Sequence, residues 1–207
     1  MRIALMGITG KTGRRIAGLA LQRGHEVRAL ARDPTKVTLH SDGLFVIAGD
    51  ARDPEAVERL VSSTDAVITA LGPVRRSLVV ASAATANVLR AMSHGGQRTL
   101  VVLSGAAMKL PGERASWRHR LLIWFARVLA GPILRDKEEE LRLLLASEVD
   151  WVCVRPPRLT NGAGHGHPRA SASELPSSSI PRDDLARFML DQAERPTFVR
   201  QAPYVSA

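Results

Sequence analysis

The chain has 207 residues, 45% of them hydrophobic, and is long enough to bury a full core in one domain. Its longest apolar runs are too short to cross a bilayer, and its one cysteine, Cys153, leaves no internal disulfide, so we expect a cytoplasmic protein without membrane contact. The net charge of +9 suggests nucleic acid as a partner, but the basic residues are scattered without zinc-finger spacing or an aromatic RNA-binding signature, so we predict no nucleic-acid binding.

The first predicted unit is a buried strand followed by a glycine turn and a helix. Residues 2–6 are almost wholly apolar, and Gly7, Gly10 and Gly13 then recur every three residues where a helix must begin. In a strand–turn–helix–strand unit, the N–H groups at the helix N-terminus and the helix dipole receive a pyrophosphate. The GxxGxxG spacing differs from the commoner GxGxxG, but in this context it predicts dinucleotide binding.

The second predicted strand, residues 26–31, ends at a residue that indicates the choice of cofactor. NAD-specific folds place Asp or Glu there to hold the ribose 2′-hydroxyl, whereas Arg accommodates a 2′-phosphate. Arg32 occupies this place, so the sequence predicts NADP(H) in preference to NAD(H). Asp33 is an alternative ribose ligand that would favour NAD, but the following Pro34 suggests that Asp33 caps a turn instead.

Strands and helices alternate along the rest of the chain. Strands are predicted at 44–48, 65–70, 98–103 and 149–154, and helices at 54–61, 77–92, 136–146 and 180–190. Apolar strands that alternate with helices predict an α/β, Rossmann-like fold, in which a doubly wound parallel sheet has helices on both faces. We expect one domain over residues 1–207, with its ligands at the carboxyl ends of the strands.

Two insertions interrupt this alternation. Residues 109–132 hold three of the chain's eight aromatic residues among Arg and Leu, which predicts a basic amphipathic helix. It is expected to pack against the core or to form a wall of the substrate site; a dimer face and an interfacial membrane helix are the alternatives. Residues 159–179 are rich in Gly, Ser and Pro and are predicted to form a mobile loop at the same rim. His165 and His167 in this segment lack Cys or carboxylate support, so no metal site is predicted.

Several blocks of the sequence together resemble a known family, the atypical short-chain dehydrogenase/reductase-like NAD(P)H-binding proteins, and within it the group of flavin and biliverdin-IXβ reductases. The blocks are GITGKTG at 7–13, the strand end Ala31-Arg32-Asp33, Gly49-Asp50, Ala70-Leu71-Gly72, Ser104, DWVCVRPP at 150–157, and the helix at 180–190. The resemblance covers nearly the whole chain and implies the same fold.

The resemblance also implies which residues bind the cofactor. The backbone amides of Thr9 to Thr12 should hold the pyrophosphate, Arg32 the 2′-phosphate and Asp50 the adenine edge, while Pro156 and Pro157 should form the floor under the nicotinamide. The full set that we expect at the cofactor is Gly7, Thr9, Gly10, Lys11, Thr12, Gly13, Arg32, Asp50, Ala51, Leu71, Gly72, Arg75, Ser104, Lys137, Pro156 and Pro157.

Two of these residues, and a neighbour, have a further interpretation. Ser104, expected near the nicotinamide and the substrate, is the candidate catalytic residue. Lys137 would contact the cofactor, or else pair at the surface with the run Glu138 to Glu140. Arg155 would lie at the rim of the site or act as a structural anchor at the end of its strand.

The sequence lacks the acid that typical short-chain dehydrogenases use. They place a Tyr four residues before a Lys, but here Ile133 precedes Lys137 and the one tyrosine is Tyr204. A conjugated acceptor needs little acid help, so we expect NADPH-dependent reduction of a flavin, quinone-like or tetrapyrrole-like acceptor, which is a small aromatic molecule, either neutral or anionic. The alternative is a non-catalytic NADP(H)-binding redox sensor or regulatory protein. Either form is expected to be a monomer or a homodimer.

Overall fold

A computed structural model of the protein describes residues 1–72, 80–108, 110 and 117–207, with residues 117–130 described by their backbone alone. The strands are β1 (Arg2–Met6), β2 (Glu26–Ala31), β3 (Leu44–Ala48), β4 (Ala66–Thr69), β5 (Thr99–Leu103), β6 (Asp150–Val154), β7 (Arg158–Thr160), β8 (Arg169–Ser171), β9 (Ser179–Pro181) and β10 (Tyr204–Ser206). The helices are α1 (Lys11–Gln22), α2 (Pro54–Val61), α3 (Ala81–Gly95), α4 (Trp117–Leu145) and α5 (Arg182–Glu194).

The main sheet has the strand order β3-β2-β1-β4-β5-β6, and every pair in it is parallel. In β1, Leu5 lies opposite Ala29 of β2 on one side and Ile68 of β4 on the other. The strand order reverses between β1 and β4, which opens a crevice at the carboxyl ends of these strands. The predicted Rossmann-like α/β fold is therefore confirmed.

Alternate side chains of β1 enter two separate hydrophobic cores. Ile3 and Leu5 pack against α1 and α5 on one face, whereas Ala4 and Met6 pack against α2, α3 and α4 on the other. All four are fully buried. Because both faces of the central strands are covered, these strands are mostly apolar, whereas the edge strand β3 leaves Phe45 and Val46 exposed.

The prediction of two separate helices within residues 109–146 is wrong. One helix, α4, runs from Trp117 to Leu145 with Pro132 in its interior; residues 109 and 111–116 lie outside the described residues. A proline removes one backbone hydrogen bond of a helix and often ends it. Here the buried Leu134, Leu141 and Leu144 hold the following turns against the sheet, so the helix continues past the proline.

The segment predicted as a mobile loop, residues 159–179, contains regular structure. β7 pairs with β9 in parallel, and β8 pairs with β10 in antiparallel orientation. The backbone N–H groups of His165 and Gly166, which lie between β7 and β8, donate hydrogen bonds to the buried carboxylate of Asp184 in α5, both at 2.8 Å. Hydrophobic periodicity does not predict these strands, because each has only three residues and pairs with a strand that is far away in the sequence.

Candidate active site

The glycine turn after β1 is shaped by contacts that leave no room for side chains. Gly7 has φ +97°, and a Cβ there would lie 2.6 Å from the carbonyl oxygen of Ala70. A Cβ on Gly13 would overlap the carbonyl oxygen of Gly7, and the N–H of Gly10 donates to that same oxygen at 2.9 Å. α1 begins after Gly10 without a side-chain cap and without an acidic residue in its first turn, so this end of the helix is suited to an anionic ligand.

This turn opens into a cleft of about 250 Å³ along the carboxyl ends of β1 to β4. The cleft brings together many residues that the sequence assigned to the cofactor. Its lining is Met6, Gly7, Thr9, Gly10, Leu30, Ala31, Arg32, Gly49, Asp50, Ala51, Arg52, Ala70, Leu71, Gly72 and Val80. The predicted residues Lys11, Thr12 and Gly13 lie beside it in the first turn of α1, where Lys11 is exposed and Thr12 is buried.

Arg32 and Asp33, which follow β2, have different environments. Arg32 lines the cleft, whereas Asp33 caps the 3₁₀ turn Pro34–Lys36. The Asp33 carboxylate accepts hydrogen bonds from the backbone N–H of Thr35 at 3.2 Å and from its hydroxyl at 2.6 Å, and it pairs with Lys36 at 3.1 Å. The Thr35 and Lys36 contacts lower the pKa of Asp33. The prediction that Asp33 caps a turn is confirmed.

Asp50 is paired with Arg52, a residue that the sequence analysis did not select. The backbone N–H and the Nε of Arg52 donate to one carboxylate oxygen at 2.9 and 3.0 Å, and its Nη2 donates to the other at 2.8 Å. These hydrogen bonds outweigh partial burial and lower the pKa of Asp50 to about 2. The sequence does contain a signal for Arg52, since it is a basic residue two positions after Asp50.

An apolar pocket of about 290 Å³ adjoins the cleft and shares Leu71 and Gly72 with it. α4 forms one wall, and the loop after β5 forms another. The lining is Leu71, Gly72, Leu103, Ser104, Gly105, Ala107, Met108, Ile133, Leu134, Lys137 and Leu159. The Ser104 hydroxyl is buried beside the Cys153 thiol and has no hydrogen bond of normal geometry in the described structure. Burial raises the pKa of Cys153 to about 12, so this thiol is inert at neutral pH.

Lys137 connects α4 to the end of β5 at the wall of this apolar pocket. Its Nζ donates to the carbonyl oxygen of Leu103 at 2.8 Å and pairs with Glu140 at 2.9 Å. Glu140 is 2% exposed, and burial raises the pKa of its carboxyl group although Lys137 opposes the shift. The alternative prediction, that Lys137 pairs with a glutamate of the 138–140 run at the surface, is therefore half right. Lys137 does pair with Glu140, but the pair lies inside the fold.

Arg155 is the structural anchor that the sequence analysis kept as an alternative, which is thereby confirmed. It is fully buried, and it donates to the carbonyl oxygens of Ala202 at 2.6 Å and Met108 at 2.9 Å. Its guanidinium lies 3.8 Å from the ring centroid of Tyr204 and donates to the phenol oxygen at 3.0 Å. Tyr204 is 1% exposed in this contact, so it is not placed to act as an acid in the pocket.

Pro156 and Pro157 are not among the described residues that line the cleft or the apolar pocket. Pro156 is buried after β6, where its carbonyl oxygen accepts a hydrogen bond from the N–H of Ala106 at 2.9 Å, and Pro157 follows it half-buried. Their place under the nicotinamide stays a prediction. Arg75 lies outside the described residues.

The described part of the chain shows neither a metal-binding cluster nor a membrane-spanning helix. It holds no group of three or more His, Cys, Asp or Glu side chains arranged to bind a metal ion. None of its helices has the length and apolar character needed to cross a membrane.

The sequence profile of an NAD(P)H-binding family matches residues 7–196. The uncharacterized Mycobacterium tuberculosis protein Rv2047c is 36% identical over 105 residues, which are 50% of this chain and 12% of that much longer protein. The uncharacterized Bacillus subtilis protein YwnB is 27% identical and matches 95% of this chain and 93% of its own length. A Streptomyces griseus (4-alkanoyl-5-oxo-2,5-dihydrofuran-3-yl)methyl phosphate reductase is 31% identical over 74% of this chain and 46% of its own length.

Solved structures share the fold over the whole chain. ChuY, an anaerobilin reductase from Escherichia coli O157:H7, superposes with a TM-score of 0.82 at 22% identity, covering 100% of this chain and 97% of ChuY. A short-chain dehydrogenase/reductase from Veillonella parvula, solved in complex with NADP, also has a TM-score of 0.82, at 17% identity and with coverage of 100% and 94%. The fold is thus that of short-chain dehydrogenase/reductase-like proteins, and by the match over residues 7–196 the chain belongs to the NAD(P)H-binding family.

Proposed function

We propose that this protein is an NADPH-dependent reductase of a small conjugated acceptor of the flavin, quinone-like or tetrapyrrole-like class. The observation that carries the proposal is that the dinucleotide cleft runs directly into the apolar pocket through Leu71 and Gly72, which line both. A nicotinamide cofactor laid along such an edge has its adenosine half near Arg32 and its reactive half near Ser104.

The glycine turn fits this cofactor. Gly7 lies so close to Ala70, and Gly13 so close to Gly7, that neither position has room for a side chain, as in turns that let a pyrophosphate approach the backbone. When bound, NADPH supplies a hydride. The chain contributes the uncapped end of α1 for the pyrophosphate, Arg32 for the 2′-phosphate, and an apolar wall that holds a flat acceptor and excludes water. Charge that develops on a conjugated acceptor spreads over its rings, so solvent can deliver the proton without a tyrosine.

The preference for the phosphate-bearing cofactor is supported by the residues after β2. Arg32 lines the cleft with a planar fork of donors, while Thr35 and Lys36 engage the competing carboxylate of Asp33. The reductase chemistry is supported by the Streptomyces griseus relative and by ChuY, both of which are named as reductases. We further propose a cytoplasmic location, where NADPH is available.

The test is steady-state oxidation of NADPH and NADH with riboflavin, menadione and biliverdin as acceptors, for the wild type and for Arg32→Glu. We expect Arg32→Glu to raise KM for NADPH by about tenfold or more and KM for NADH by much less, because a phosphate contact is lost and a like charge is added. Arg59→Glu, an exposed change of the same charge on α2, is the matched control.

Equal effects on both cofactors would remove Arg32 from the 2′-phosphate. If NADPH binds tightly while none of the acceptors is reduced, the reductase proposal fails, and the result favours the redox sensor.

A further inference from the structure

We propose that Arg52 is a second specificity-determining residue for the cofactor, which contacts the 2′-phosphate together with Arg32. This inference rests on the proposed function, since it concerns the same cleft. It adds a residue that comes from a different strand end, after β3 instead of β2, and that lies outside the short blocks on which the family resemblance rests.

The first observation is the geometry of the pair formed by Asp50 and Arg52. The carboxylate of Asp50 receives Nε and Nη2 of Arg52 at 3.0 and 2.8 Å, one on each oxygen, which is the two-pronged arrangement that fixes a guanidinium in its plane. The entropic cost of ordering a long side chain is thus met before any ligand arrives.

The second observation is where the pair lies. Arg32, Asp50 and Arg52 all line the cleft, and Arg52 is 49% exposed there while Asp50 is 30% exposed. The charge of Arg32 also acts on the Asp50 carboxylate and, after the Arg52 contacts, helps to lower its pKa. The three side chains therefore form one charged cluster at the adenosine end of the cleft.

The charge of this cluster suits a phosphate better than a ribose hydroxyl. With Asp50 ionised, the two arginines leave a net charge of about +1, which attracts a phosphate group that carries about −1.5 to −2 at neutral pH. In NAD-specific folds an unpaired carboxylate at this end receives the ribose hydroxyl. Here Asp50 already has a cationic partner, so the acidic residue present does not favour NAD.

A purely structural role for Arg52 makes a different prediction. If Arg52 serves only to orient Asp50 toward the adenine, removal of Arg52 weakens every adenine-containing ligand equally. If Arg52 contacts the 2′-phosphate, removal weakens only the ligands that carry this group.

The experiment measures equilibrium binding by isothermal titration calorimetry, without turnover. The ligands form two pairs that differ by the 2′-phosphate alone, NADP⁺ with NAD⁺ and adenosine 2′,5′-bisphosphate with 5′-AMP. The variants are Arg52→Gln, Arg32→Gln, the double variant, and Arg59→Gln as the control that removes one exposed positive charge outside the cleft. We expect Arg52→Gln to weaken NADP⁺ and the bisphosphate about tenfold, as for the loss of a charge-assisted hydrogen bond, and their partners less than twofold.

The double variant is expected to lose less affinity than the two single losses multiplied, because both side chains hold one group. Equal weakening of all four ligands, or no effect of Arg52→Gln beyond that of Arg59→Gln, overturns the role of Arg52 and leaves the proposed function standing. If the wild type binds neither member of either pair, the proposed function and this inference fall together.

Discussion

At the scale of single residues, two glycines of α1 differ in what a methyl group would meet. On Gly13 the new Cβ would overlap the carbonyl oxygen of Gly7, whereas on Gly18 it would have nothing within 4 Å. We expect Gly13→Ala to destabilise the fold by about 1 to 3 kcal/mol through overpacking and to weaken NADP⁺ binding by about tenfold or more. Urea unfolding and NADP⁺ titration measure the two effects.

Gly18→Ala is the matched control in the same helix. It should stabilise the protein by about 0.5 to 1 kcal/mol, because alanine favours a helix interior, and it should leave NADP⁺ affinity unchanged. Normal cofactor binding by Gly13→Ala would show that the turn tolerates a wider separation from α1, and would remove the close approach from the binding argument.

Residues were predictable where their role follows from local sequence. The glycine turn, the position of Arg32 at the cleft and the capping role of Asp33 each follow from a strand end and its neighbours. The local sequence does not identify Arg52, because Arg52 reaches the cleft only through the pairing of β3 with β2, which brings the two strand ends together. Lys137 was placed at the surface in one interpretation, because its burial depends on how α4 packs on β5.

At the scale of secondary structure, α3 begins without a cap of its own and receives one from α4. The buried carboxylate of Asp136 accepts hydrogen bonds from the N–H groups of Val80 at 3.0 Å, Ala81 at 2.8 Å and Ser82 at 3.0 Å, and one from the Ser82 hydroxyl. Although burial opposes it, these hydrogen bonds lower the pKa of Asp136. The ionised carboxylate thus stabilises the contact of α3 with α4, the helix that forms one wall of the apolar pocket.

We expect Asp136→Asn to reduce the free energy of unfolding by about 2 kcal/mol at neutral pH, since an amide replaces one acceptor oxygen with a donor. Because the pKa of Asp136 is lowered in the folded state, the ionised carboxylate stabilises the fold fully above the ordinary value of 3.8. This effect is lost as the pH falls from 3.8 through the lower pKa of the folded state. The difference between wild type and variant, measured by urea unfolding across pH, should therefore shrink below about pH 4. A difference that stays constant down to the acid transition would contradict an ionised cap.

The sequence predicts elements well where hydrophobic periodicity is strong and local. The strands at 44–48 and 149–154 lie within one residue of β3 and β6. The pattern fails at Pro132, where the tertiary contacts of Leu134 and Leu141 outweigh the tendency of proline to end a helix. It also fails for β7 to β10, because these short strands are stabilised by pairing across tens of residues.

At the scale of the whole molecule, the site is a consequence of sheet topology. The glycine turn, Arg32, Asp50 and Leu71 lie far apart in sequence and meet because β1 to β4 end at one edge. The net charge of +9 has a local explanation in part, since Arg32 and Arg52 lie in a cleft suited to a phosphorylated ligand. The side chains of β1 enter both cores. We therefore expect a ligand at the carboxyl end of β1 to contact elements from both faces of the sheet.

A ligand held this way should stabilise the whole fold and not one loop. At an NADP⁺ concentration of about 100 times Kd, binding adds about 2.7 kcal/mol to the free energy of unfolding. For a chain of this size that corresponds to a rise of about 5 to 10 °C in Tm. NAD⁺ at the same concentration should raise Tm less, and Arg32→Glu should bring the NADP⁺ shift down to the NAD⁺ value, both measured by differential scanning calorimetry. Equal shifts for NADP⁺ and NAD⁺ in the wild type would show that the cluster at Arg32 does not select the 2′-phosphate, whatever the affinity of the glycine turn.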